Sequence, residues 1–274
     1  MQTSPQRSAC RAGRARQSTN SDRGKTLRSS TPHQENEMIL FYDSETSSLP
    51  SFGDPSDAPH QPHLLQLAML LHDMDGNEVD RFVSIVRPGV HECVIAPEAL
   101  EAHGITLERA MDEGCDPLVA LDAFMAFVDR ATLRVGHNES FDRRIMRIHS
   151  ARHRSVKWEA EAPSFCTMWK SKFIINLPPT PRMIATGMPG PKAPKLEEAY
   201  EYFFGEPLVG AHDALVDITA TARVFYHLVN ECGVAMFKAG GARPRVSTKA
   251  IRGTGHAADP FAAAAALLNQ ASGE

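Results

Sequence analysis

The segment Ile39-Leu40-Phe41-Tyr42 runs straight into Asp43-Ser44-Glu45-Thr46. Four consecutive apolar side chains read as a short strand buried on both faces, and the pattern predicts that it ends near Asp43. Side chains two apart in a strand share a face, so Asp43 and Glu45 aim at one spot. Two like charges beside an apolar core are costly unless a cation compensates them. Oxygen donors suit hard divalent ions such as Mg²⁺ or Mn²⁺. Taken alone, the pair is more often an acidic strand end in water.

The rest of the chain alternates strands with helices. Leu64 to Leu71 and Glu78 to Val86 read as two strands joined by turn residues Asp73 to Asn77, a hairpin preceded by a polar loop over 50–63. Helices are predicted over 97–103, 116–130, 140–150, 196–204 and 211–230, with a short strand at 133–135. Residues 165–173 suit either a helix or a strand, and 177–194, with six prolines and two glycines, read as an irregular loop.

Composition sets the boundaries. Residues 1–37 are rich in Arg, Ser, Thr and Gln with almost no large apolar side chains, and cannot bury enough surface to order themselves. They are read as a disordered or artefactual tail, although such Arg-rich, acid-poor termini also resemble transit peptides. The folded domain is expected over 38–233, followed by a flexible tail over 234–274 with one short helix near Pro260 to Gln270. No apolar run approaches the roughly 20 residues that cross a bilayer, so no membrane contact and a cytoplasmic location are expected. Five scattered cysteines without a CxxC pair argue against a disulfide framework or a zinc site. Residues 38–233 carry 17 basic and 28 acidic residues, not the broad basic footprint of a nucleic-acid coat protein. Within them, 143–195 holds eleven Arg and Lys against Glu159 and Glu161, a stretch that could guide a phosphate backbone or be an ordinary solvated surface.

Two further motifs stand at element ends. In Val135-Gly136-His137-Asn138-Glu139-Ser140-Phe141-Asp142 a strand meets a helix, with Asn138 at or near the cap and Asp142 in the first turn. In His212-Asp213-Ala214-Leu215-Val216-Asp217, a regular helix at ~100° per residue would set His212 and Asp217 about 140° apart. His212 is therefore expected on the loop before the helix, approaching a common site from another side. Each motif alone has an ordinary structural explanation. Together they supply four carboxylates and a histidine, a set able to hold two metals ~3.5–4 Å apart for in-line phosphoryl displacement.

This order and spacing resembles the DnaQ-like 3′–5′ exonucleases of the DEDDh type, on the motifs Asp43-x-Glu45-Thr46, Asn138-x3-Asp142 and His212-x4-Asp217. His103-Gly104-Ile105-Thr106 resembles the family's HGIT element, and Leu196 to Tyr200 with Gly210 to Asp217 its C-terminal block. The family often has Thr-Thr-Gly-Leu where this chain has Thr46-Ser47-Ser48-Leu49. The resemblance implies an α/β, ribonuclease-H-like mixed sheet of about five strands flanked by helices. It implies that Asp43, Glu45, Asp142 and Asp217 hold two divalent ions, Mg²⁺ with Mn²⁺ as an alternative, and that His212 is the general base. It implies that Thr46, Leu49 and Asn138 contact the 3′ end of a single-stranded nucleic acid. Products would be nucleoside 5′-monophosphates. An RNA-trimming enzyme of the same fold and an accessory subunit docked on a DNA polymerase are the alternatives; oligomeric state is open.

Overall fold

The computed structural model describes residues 37–89, 93–156 and 158–237. The two expected tails fall almost wholly outside these residues, as does the helix expected near 260–270.

Five strands, β1 (Met38–Thr46), β2 (Leu64–Asp73), β3 (Glu78–Ile85), β4 (Leu133–Gly136) and β5 (Ser164–Cys166), form one sheet in the order β3-β2-β1-β4-β5. β1, β2 and β3 are an antiparallel meander, whereas β4 and β5 run parallel to β1. This is the mixed α/β sheet expected. The central strand is sealed on both sides. Ile39 and Phe41 pack in one apolar cluster with Ile218 and Phe225 of helix α8 (Ala214–Asn230). Leu40 and Tyr42 pack in a second with Phe124 of α3 (Pro117–Arg130) and Met146 of α4 (Glu139–Arg154). Each such fully buried side chain contributes roughly 1.5–3 kcal/mol.

The hairpin turn is held by Asp73, whose Oδ1 accepts from the backbone N–H groups of Asp75 and Asn77 at 3.0 and 2.9 Å. Helix starts follow their caps. Asp116 accepts from the Leu118 N–H ahead of α3, and Asp213 accepts from the Leu215 and Val216 N–H groups ahead of α8; a cap of this kind contributes about 1 kcal/mol.

Several elements differ from expectation. β1 does not end near Asp43 but continues to Thr46, because Asp43 to Glu45 keep pairing with Ala68 to Gln66. The last helix begins at Ala214, not 211, since Asp213 caps it. α2 (Leu107–Glu113) was not anticipated; its signal was Thr106, whose hydroxyl accepts from the Arg109 N–H. The ambiguous stretch 165–173 resolves into β5 followed by α5 (Thr167–Ile175). Inside the proline-rich loop, α6 (Pro181–Ala185) starts on a Thr180 cap with proline at its first position. Two more helices, α1 (Pro97–His103) and α7 (Leu196–Phe204), complete the set among the described residues. Past residue 233, Val234, Met236 and Phe237 still pack on the α8-side core.

Candidate active site

Strand alternation distributes the first motif. Asp43 and Glu45 continue the Ile39–Phe41 side of β1, toward α8, while Ser44 continues the Leu40–Tyr42 side, toward α4. The Ser44 hydroxyl donates to Asp142 Oδ1 at 2.7 Å. Asp142 is buried in the first turn of α4. That helix can start so close to the sheet because β4 ends in Gly136. A Cβ there would lie 3.2 Å from the Glu139 Cα. The register shifts between Glu45 and Thr46, a bulge at the edge of the site.

The third motif arrives on the turn before α8. His212 lies in that turn with φ 71°, as the helical spacing required, and its backbone N–H donates to Asp217 Oδ2 at 3.1 Å. The start of α8 is tied to the sheet by Gln66, whose Oε1 accepts from the Ala214 N–H at 3.4 Å. Gln66 is also the register partner of Glu45, so one residue sets the height of both motifs. The half-exposed His212 imidazole has Nε2 3.6 Å from Glu197 Oε1 of α7. Glu45, His212 and Asp217 each present a donor atom within 4.8 Å of the others.

The electrostatics of the cluster are one-sided. Burial pushes the Asp43 carboxyl well above the usual carboxylate range, and the Asp142 and Asp217 charges push it further. Burial raises Glu45 to about 9, with Asp43 and Asp217 adding to it. Burial likewise lifts Asp142 well up, against the lowering effect of the Ser44 hydroxyl. Asp217 is raised to about 7, by burial first, while the His212 N–H pulls it down. The strongest charges acting on these groups are other carboxylates. Asp217 Oδ1 is buried without a hydrogen-bond partner. A donor set dominated by carboxylate oxygens, one of them orphaned, fits a hard divalent cation.

The other predicted residues occupy different settings. Leu49 is 83% exposed beyond the strand end. Thr46 is buried and its hydroxyl donates to the Ser48 carbonyl at 2.9 Å. Asn138 stands at the cap position of α4 in the left-handed region, φ 74°, but its side chain does not cap; it accepts from the Ser140 hydroxyl at 3.2 Å. The HGIT element works as a strut. His103 Nδ1 accepts from the Ile105 N–H, so Nε2 carries the proton and donates to the Thr46 carbonyl at 3.2 Å. Sequence reasoning singled out neither Ser44, Gln66 nor Glu197. The strand alternation could have found Ser44, and Glu197 lies within the Leu196–Tyr200 block; Gln66 has no sequence signal.

Part of the basic stretch is engaged within the fold. Arg144 donates to the Ser51 and Asp54 carbonyls and the Ser56 hydroxyl, and Arg152 to the Gln61 and Pro62 carbonyls. Both pin the 50–63 loop to α4. Arg147, Arg154 and Lys192 pair with Glu159, Asp122 and Glu198. These cations are structural clamps rather than a free track for phosphates.

A family model described as exonuclease, of the RNase T type, matches residues 40–225. No curated protein matches the sequence. Among solved structures, the chain is similar to E. coli exonuclease I in complex with a dT13 oligonucleotide, at 19% identity and TM-score 0.54, over 71% of this chain and 41% of that one. It is similar to the zinc-bound complex of the E. coli enzyme with single-stranded DNA at 17% identity and TM-score 0.54, over 72% and 41%. It is similar to a moderately thermophilic exonuclease I from Methylocaldum szegediense at 22% identity and TM-score 0.53, over 71% and 40%. The chain thus spans about two fifths of the length of those enzymes, and at these identities the likeness is one of fold.

Proposed function

We infer that this chain, which belongs to the exonuclease family whose model spans residues 40–225, removes nucleotides one at a time from the 3′ end of single-stranded DNA by metal-dependent hydrolysis. The observation that carries this reading is the convergence of Asp43, Glu45, Asp142 and Asp217 with His212, where the main charges on each carboxylate are other carboxylates.

Asp43, Glu45 and Asp217, with Asp142 completing the set, would hold two divalent ions, Mg²⁺ or Mn²⁺, whose chemistry is to activate water and neutralise charge on the phosphoryl oxygens. The protein's own residues do the rest. Ser44 fixes the rotamer of Asp142 by donating to one of its oxygens. The backbone of His212 fixes Asp217 in the same way. The His212 imidazole, on an exposed turn with Nε2 3.6 Å from Glu197 Oε1, takes the proton from the attacking water. Leu49 contacts the terminal base from its exposed position, Thr46 shapes the backbone beneath it, and Asn138 orients the strand. Exposed bases and a free 3′-hydroxyl are read rather than sequence.

Single-stranded DNA is put first because the similar exonuclease I structures hold such oligonucleotides. The test is a 5′-labelled ladder of matched DNA and RNA oligomers with Mg²⁺, Mn²⁺ or EDTA. Stepwise shortening of DNA that EDTA stops is expected. Shortening of RNA alone makes the chain an RNA-trimming enzyme, and no shortening with either metal removes the activity. Co-purification with a polymerase would recast it as an accessory subunit.

A further inference from the structure

Helix α5 presents an outer face that the proposed chemistry does not use. Trp169 is 53% exposed and Phe173 73% exposed. They stand four residues apart, one turn or ~6 Å along the helix, and so share a stripe. Lys172 lies between them, with Nζ 4.9 Å from the Trp169 ring centroid and 5.5 Å from that of Phe173. Lys170 lies over Phe165 at 5.4 Å. The helix carries no acidic residue, within a domain where acidic residues outnumber basic ones.

The start of α5 lies at the site end of the sheet. β4 and β5 run parallel and end together, Gly136 opposite Cys166. Backbone N–H groups of both helix starts, Asn138 and Glu139 of one and Met168 and Trp169 of the other, act on the Cys166 thiol. The helix bearing Asp142 and the helix bearing Trp169 therefore begin side by side.

Exposed rings interleaved with cations suit a partner that has both flat faces and negative charge. Protein interfaces also favour aromatics but are depleted in lysine. Single-stranded nucleic acid takes both features, stacking bases on the rings while the ammonium groups meet the phosphates. We propose that Trp169, Phe173 and Lys172 form a stacking platform for nucleotides on the 5′ side of the terminal one, leading the strand into the site. This rests on the exonuclease reading for the direction of the strand.

The test uses Trp169 as its own reporter. The chain has two tryptophans, and Trp158 is buried edge-on against Phe124. The full chain in EDTA is titrated with oligo(dT) of about 15 nucleotides, a length within the usual reach of such grooves. Quenching of fluorescence is expected, lost in Trp169→Phe, with affinity about tenfold weaker in Phe173→Ala. In a parallel arm with Mg²⁺, the preference for the long oligomer over a trinucleotide should fall about tenfold in the Trp169→Ala/Phe173→Ala protein. No binding, or binding measured by anisotropy without quenching, overturns the platform. Strand shortening without quenching overturns the platform but leaves the exonuclease reading. Quenching without shortening supports the platform and sinks the exonuclease reading instead. If the double variant dissolves a self-association while keeping the length preference, the face is an interface between copies and the proposal fails.

Discussion

Two buried sets of charge, drawn from the same two elements, are handled in opposite ways. Tyr42 and Asp43 are neighbours on β1, and Glu139 and Asp142 share the first turn of α4. Tyr42 and Glu139 turn toward Arg134 of β4. The three are almost wholly buried; Arg134 donates to Glu139, to the Tyr42 hydroxyl at 2.9 Å and to the Ala162 carbonyl at 3.1 Å. The Trp158 ring lies 5.6 Å from its guanidinium. Asp43, on the opposite face of β1, and Asp142, which takes the Ser44 hydroxyl, are acted on by further carboxylates. One set brings its own cation, although the Arg134 Nε is buried without a hydrogen-bond partner. The other is built with charge left over, which a fold tolerates only where something from outside supplies the balance.

The largest effect that would break this contrast is on turnover. Asp43→Asn removes a donor from the uncompensated set and should lower hydrolysis to below about a thousandth of wild type, read on the labelled ladder. Its melting temperature in EDTA should hold or rise, because a repelled charge has gone. A fully active Asp43→Asn protein would sink the metal reading. Next comes stability. Arg134→Met strands Glu139 as an unpaired buried carboxylate and should cost about 3–5 kcal/mol in a denaturant melt. Arg134→Met with Glu139→Leu should recover most of that. If the single variant is as stable as wild type, Arg134 is not what neutralises its set.

Much of this was legible in the sequence, and the reasons are local. Apolar runs placed β1, β2, β3, α3 and α8, since each rests on its own residues, although β1 ran past its expected end and α8 began later than expected. The position of His212 before its helix followed from helical angle alone. The four carboxylates were legible as a set only through their order and spacing, because each motif singly reads as ordinary surface. What stayed hidden depends on which elements meet. Arg134 and Glu139 look like exposed charges until β4 is placed beside β1. Gln66 has no signal until it is seen both to pair in register with Glu45 and to accept from the Ala214 N–H at the start of α8. Within the basic stretch, Arg144 and Arg152 gave no local sign of their structural role, as the carbonyls they clamp lie about 90 residues away in sequence.

The pH dependence sharpens the contrast with a smaller effect. Glu45 at about 9 and Asp217 at about 7 sit far above the ordinary carboxylate near 4 of an unfolded chain. The folded state therefore binds more protons than the unfolded one between those limits, and stability must fall as pH rises through 7 and toward 9. In EDTA the melting temperature should drop steadily between pH 6 and pH 9. Millimolar Mg²⁺ or Mn²⁺ should flatten the slope, since a bound cation favours the ionised carboxylates. A slope untouched by divalent ions would mean that the protons, and not a metal, are the intended balance.

The smallest effect tests the one thread between the two sides of β1. Ser44 is the residue whose side chain leaves the Asp43–Glu45 face and reaches α4, donating to Asp142 Oδ1. Removing a hydrogen bond to a charged group costs roughly 1.5–3 kcal/mol where the acceptor stays buried, though a bound cation would recover part of this. Ser44→Ala should therefore lower turnover about tenfold with little change in the KM for the strand, because Asp142 loses its rotamer and not its charge. The buried Tyr42–Glu139–Arg134 set, on the same face of β1, should be untouched, so the denaturant midpoint should move far less than in Arg134→Met. Should KM rise while turnover holds, Asp142 acts on the strand rather than on the ions. The metal set would then reduce to Asp43, Glu45 and Asp217, the three that converge on the α8 side of the sheet.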